Sequence, residues 1–213
     1  MKKLALALAV SGAIMSSTAS AEVFGFAFGR SANVANYTNL SVEGGIQVGD
    51  LDFYGARATY KLNQQLAVYG DLGLADYDFN GDDGFAFGGG LIYTLDGVLP
   101  EIDTALNGSF HMSSGDYVDF TAFSVRAVFS DDIPTQNVTM NWYGSVGLEY
   151  LSADVDVCDV YGVNFGRCTY SDSDTELAFG GGVVLPLGPG EAYGGLEYVD
   201  DMMLAVGYRV GLQ

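Results

Sequence analysis

Basic residues are scarce. Eight lysines and arginines stand against 27 aspartates and glutamates, with one histidine, in 213 residues. Phosphate binding needs a basic face, so nucleic acid is not an expected partner. Cysteine is scarcer still: Cys158 and Cys168 are the whole complement. No histidine or further cysteine lies near them, which argues against a metal pair. Past the N-terminus no run of 18 apolar residues occurs, which excludes a transmembrane helix. Helical periodicity is scarce as well. An acid excess of this size often brings disorder, but 49% of residues are hydrophobic and 13% aromatic, and such a chain folds.

The N-terminus carries its own message. "MKK" is a basic start, "LALALAVSGAI" is an apolar stretch, and "STASA" closes on an A-x-A cleavage signal. Residues 1–21 are therefore expected to be a secretory signal peptide and 22–213 the mature domain. Removing Lys2 and Lys3 leaves six basic residues, Lys61, Arg30, Arg57, Arg126, Arg167 and Arg209, for a net charge of −21. Export also places Cys158 and Cys168 in an oxidising compartment, so a local disulfide between them is expected.

What fills the chain is period-two alternation, in segments of about ten residues bounded by Gly, Asp, Asn and Pro. In 51–62, Tyr54, Ala56, Ala58, Tyr60 and Leu62 share a face opposite Phe53, Gly55, Arg57, Thr59 and Lys61. In 138–151, Val138, Met140, Trp142, Val146, Leu148 and Tyr150 oppose Thr139, Asn141, Tyr143, Ser145 and Glu149. Similar segments cover 66–75, 85–95, 102–112 and 202–212, with weaker ones near 40–48, 118–129, 175–187 and 191–199.

Aromatic placement separates a membrane barrel from a soluble one. Tyr54 and Tyr60, Phe85 and Tyr93, and Trp142 and Tyr150 bracket the apolar face of their strands. Eight tilted residues at ~3.3 Å each span roughly 20 Å of height, near the spacing of two aromatic girdles. The expected fold is all-β: a closed antiparallel up-and-down transmembrane β-barrel of about ten strands, with eight as the alternative. The apolar face turns to lipid and the polar face lines the interior.

One stretch occurs twice. "AFGGG" stands at 86–90 and again at 178–182, preceded by "YGDLGL" (69–74) and "YGSVGL" (143–148). Glycine is a weak strand former. On the interior phase, Ala86, Gly88, Gly90, Ala178, Gly180 and Gly182 would make room for Tyr and Arg side chains from facing strands. Gly89 and Gly181, on the outer phase, are not explained this way, and duplication of one hairpin unit accounts for the repeat equally well.

The last third of the chain carries a resemblance. "WYGSVGLEYL" (142–151), "AFGGGVVLPLG" (178–188), "AYGGLEYV" (192–199) and "MLAVGYRVGL" (203–212) resemble the closing strands of small bacterial outer-membrane barrels of the OmpX and OmpA transmembrane type. Gly207, Val210 and Leu212 resemble the closing-strand signal read by the outer-membrane assembly machinery, although this chain ends Leu-Gln instead of on an aromatic residue. The resemblance implies the bacterial cell outer membrane, with lipid, lipopolysaccharide and that machinery as partners. With both termini periplasmic, parity turns 49–50, 80–84, 113–117, 152–173 and 200–201 outward. It puts 63–65, 96–101, 131–137 and 188–190 on the periplasmic side. Segment 152–173 is the candidate seat of a surface ligand.

Chemical motifs are few. "DYDFNGDDG" (76–84) begins like a calcium loop but has Phe87 where an EF-hand needs its acidic twelfth ligand. His111 and Ser113 form an H-x-S pair similar to that of outer-membrane lipid A deacylases, with Asp119 as a conceivable orienting acid. Serine stands at 114, where those enzymes have asparagine. No catalytic residue, metal site or cofactor is expected. The residues singled out are instead an interior charge cluster: Arg57, Asp71, Arg126, Glu149, Glu197 and Arg209, with Glu43, Asp103 and Glu176 on the same phase. Charges inside a narrow barrel must pair. The expected function is structural, or surface binding through the outer loops, with the interior plugged by side chains. The alternatives are a narrow porin-like channel for small solutes and, further off, a lipid A-modifying enzyme.

Overall fold

The computed structural model describes residues 29–49, 51–77, 82–115, 118–135, 138–156, 169–199 and 201–212. Ten strands follow one another: β1 Leu40–Val48, β2 Leu51–Lys61, β3 Leu66–Tyr77, β4 Asp82–Thr94, β5 Asp103–Ser114, β6 Val118–Pro134, β7 Thr139–Asp156, β8 Thr169–Leu187, β9 Gly190–Val199 and β10 Asp201–Leu212. Each pairs antiparallel with its sequence neighbours, and β10 returns to β1 from Leu40↔Leu212 to Val48↔Leu204. The sheet is a closed ten-stranded barrel, not an eight-stranded one. Closure leaves no edge between the first and last strands and satisfies backbone groups that lipid could not. No described helix is long and apolar enough to cross a membrane.

The alternation sets the two faces. Leu72, Leu74, Phe85, Phe87, Leu148, Leu196 and Leu204 stand on the outer surface, each about half exposed. Their inward neighbours Asp71, Ala75, Ala86, Glu149, Glu197 and Met203 are buried. Tyr54, Phe85 and Tyr150 sit towards one end of this apolar wall, and Tyr60 and Tyr93 towards the other. Exposed apolar area of this extent is what a lipid-facing surface requires, and a soluble monomer would not carry it.

Connections differ at the two ends. At the end holding Leu40 and Leu212, which we call the terminal end, β8 and β9 are joined by Gly188-Pro189. Gly188 takes φ +59°, the value needed at the first position of a type II′ hairpin turn. Strands run further than composition suggests. β6 continues through Asp131–Pro134, and the turn expected over 131–137 shrinks accordingly. At the far end, β7 extends to Asp156 and β8 begins at Thr169, so strand replaces loop over much of 152–173. Asp- and Ser-rich residues are poor strand formers, but Ser152↔Ser173 and Asp154↔Ser171 remain paired because the hairpin ladder carries them. Cys158 and Cys168 lie outside the described residues, as does the signal peptide.

Candidate functional site

The interior of the barrel is filled, and the filling changes character along the axis. Towards the far end it is apolar. Phe53, Ala75 and Ala86 pack with Phe120, and Ala122, Leu151, Ala178, Val199 and Met203 form a second cluster. Gln47, wholly buried, donates its side-chain amide to the sulfur of Met203.

Below this lies a belt of charge. Cross-strand register builds one side of it. Arg209, Glu43, Arg57 and Asp71 are successive partners on β10, β1, β2 and β3. Arg57 grips Asp71 in bidentate fashion, Nε to Oδ1 and an Nη to Oδ2, both at 2.7 Å. The same guanidinium lies 4.3 Å above the Tyr69 ring and 3.7 Å from Glu43. Glu43 also accepts from Arg209 at 2.7 Å and from Arg30 at 3.0 Å. Arg209 reaches on to Glu191 at 3.0 Å. On the other side Arg126 donates to Glu149 at 2.5 Å and to Glu197 at 3.1 Å. The six singled-out residues are therefore all buried, but in two groups: Arg57, Asp71 and Arg209 around Glu43, and Arg126 with Glu149 and Glu197. Asp103 is half-buried nearer the terminal end and accepts from Asn33 at 3.2 Å. Glu176 is half-buried as well.

The repeated glycines are the slots through which this belt closes. Gly88 sits between Asp71 and His111 in register. A Cβ there would fall 2.2 Å from the His111 ring. With glycine, the ring crosses β4 and its Nε2 lies 2.7 Å from Asp71. Gly180 is the equivalent on β8, and a Cβ there would fall 2.9 Å from Glu197. Gly90 and Gly182 lie under the Tyr69 and Tyr143 hydroxyls, each 2.5 Å from the position a Cβ would take. The tyrosine and charged cargo fits the interior-room reading. The outward Gly89 is explained differently, since a Cβ would come 2.5 Å from the Tyr69 carbonyl.

Asp119 is not the carboxylate that orients His111. Asp119 pairs with Ser114 on the outward phase and is exposed, whereas His111 points inward. Its orienting acid is Asp71, already held by Arg57. Among the described residues no group of acidic, histidine and cysteine side chains is placed to hold a metal ion.

At the terminal end the lumen is occupied by the chain itself. Residues 29–34 run inside the barrel, and the 3₁₀ turn over Val34–Asn36 leaves Ala35 and Asn36 exposed. Ala32 and Val34 are fully buried against Ala67, Ile92, Ala105, Val128, Tyr143, Val184 and Tyr193. Sequence periodicity gives no sign of this segment, whose partners are scattered over the whole chain. The usable clue is Arg30, a lone cation ahead of the first strand of a strongly acidic domain.

No family model matches the chain, and no curated protein matches it. Solved structures do. The N-terminal β-barrel domain of Pseudomonas aeruginosa OprF is similar over 81% of this chain and 98% of its own, at 15% identity and a TM-score of 0.36. LpxR from Salmonella typhimurium is similar over 76% and 73%, at 12% identity and 0.42. The KdgM porin is similar over 81% and 99%, at 9% identity and 0.41. On its own geometry, ten strands closed on themselves with the apolar side chains turned outward, this chain is a transmembrane β-barrel.

Proposed function

We propose that the protein is a small barrel of the bacterial outer membrane that conducts no solute and works through its far-end hairpins, as a structural or surface-binding element. The observation that carries this reading is the filled lumen. An apolar layer, a belt of paired charge and an inserted segment succeed one another along the axis among the described residues. The terminal end faces the periplasm, and the far end, with the extended β7–β8 hairpin, faces outward. Lipopolysaccharide surrounds the wall, the assembly machinery inserts it, and a surface ligand docks on 152–173. Cys158 and Cys168 form a disulfide that closes the loop between β7 and β8.

The test is fractionation followed by reconstitution. The mature protein should separate with outer membranes and need detergent for solubility. It should run compactly on an unheated SDS gel and shift on boiling. Liposomes containing it should not swell in isosmotic arabinose. A detergent-free soluble monomer would overturn the membrane assignment, and rapid swelling would overturn the closed lumen in favour of a channel.

A further inference from the structure

The way residues 29–37 are held differs from the way the strands are held. They pair with no strand. Instead, side chains of the wall read their backbone. Ser130 Oγ accepts from the Ala32 N–H at 2.7 Å. Thr94 Oγ1 accepts from the Val34 N–H at 2.9 Å and donates to the Ala32 carbonyl at 2.8 Å. Arg209 donates to the Gly29 carbonyl. The segment's own side chains meet complementary groups. Arg30 enters a carboxylate site at Glu43 and also donates to Ser41 at 3.2 Å. Ala32 and Val34 fill apolar pockets, and Asn33 donates to Asp103. Gly29, at φ +40°, lies where a Cβ would come 2.5 Å from the Tyr193 ring. Hydroxyls matched to the backbone, pockets for alternate side chains and a buried acid, Glu43, that takes Arg30 beside the wall's own Arg209 and Arg57 are the parts of a peptide-recognition site.

We propose that the terminal-end half of the lumen is a peptide-binding site, that residues 29–37 are its resident ligand in cis, and that the site accepts the same cationic sequence in trans once the tether is cut. The ligand class is a short peptide with one arginine followed by small and aliphatic residues at alternate positions and closing in a 3₁₀ turn. This goes beyond the surface role of the outer hairpins and does not depend on it. The tether is the exposed pair Thr38–Asn39 at the barrel mouth.

The experiment uses the full chain with a protease recognition sequence inserted between Thr38 and Asn39, folded in detergent and then cleaved. The probe is a synthetic peptide of residues 29–37, acetylated at Gly29 and carrying fluorescein beyond Tyr37. Retention of the cleaved segment through gel filtration supports a non-covalent ligand. Release of that segment, followed by saturable binding of the probe to cleaved but not uncleaved protein, supports it equally. A probe with Arg30→Ala should bind at least about tenfold more weakly, because Glu43 loses a charge-assisted bond. A Gly29→Val probe should fail. Unfolding of the barrel on cleavage, read from the unheated gel, would show the segment to be a structural strut and overturn the proposal. Release of the segment with no probe binding would overturn it too.

Discussion

The two glycine-rich strands invite comparison because the same motif holds different chemistry. In β4, Gly88 lies between Asp71 and His111, and the two side chains meet across it at 2.7 Å. In β8, Gly180 lies between Ser145 and Glu197 in the same register. Where the first copy has an acid the second has a serine, and Glu197 passes over the glycine to Arg126. A second acid at 145 would face Glu197 across an empty slot, a like-charge pair in a buried place. The backbone slot is what repeats. The ionic content is set separately in each half, so that every buried carboxylate of the belt meets a cation.

The halves also differ in redundancy, which mutation can expose. Arg126 is the shared partner of Glu149 and Glu197. Arg126→Ala should cost about 3–5 kcal/mol, read from urea unfolding in micelles, because it takes the shared arginine from two buried acids. Arg57→Ala should cost clearly less. Asp71 keeps His111, and Glu43 keeps Arg30 and Arg209. Equal losses would erase the distinction between the two groups.

Overpacking the slots gives a smaller effect with the opposite ranking. Gly88→Ala should cost about 1–3 kcal/mol, since the Cβ meets a rigid imidazole and lifts it from Asp71. Gly180→Ala should cost less, because the atom it meets first is the flexible Cγ of Glu197. The His111 ring signals in NMR should move in the first variant and stay in the second. The smallest effect is expected from the far-end loop. Cys158→Ser removes a ring worth about 2–3 kcal/mol to that loop on the chain-entropy model. The proposed ring falls between β7 and β8 in sequence, so the barrel's unfolding midpoint should hold, and two free thiols in the mature wild type would refute the bridge.

Much of this was legible because a barrel writes its two faces into alternate residues. The inward phase of Arg57, Asp71, Arg126, Glu149, Glu197 and Arg209 follows from parity along each strand, with no knowledge of tertiary contacts. What parity cannot give is who meets whom across the lumen. The division into two groups depends on register and on which strand carries a glycine. Asp119 as partner for His111 fails on parity itself, since it falls on the outward phase, while Asp71, two strands away, succeeds through the Gly88 slot on the strand between. The ends of β6, β7 and β8 were hidden by Asp and Ser, whose weak strand preference is overridden by the ladder. Residues 29–37 left only Arg30 as a clue, because the hydroxyls that hold them, at Thr94 and Ser130, are 60 and 98 positions away.

The closed lumen is tested most directly by single-channel recording in planar bilayers with the purified, refolded protein. We predict a flat trace, with no steady conductance at either polarity, because the apolar side chains, the paired belt and residues 29–34 all occupy the lumen. Large, stable, stepwise openings in the wild type would contradict the account and establish a channel in its place.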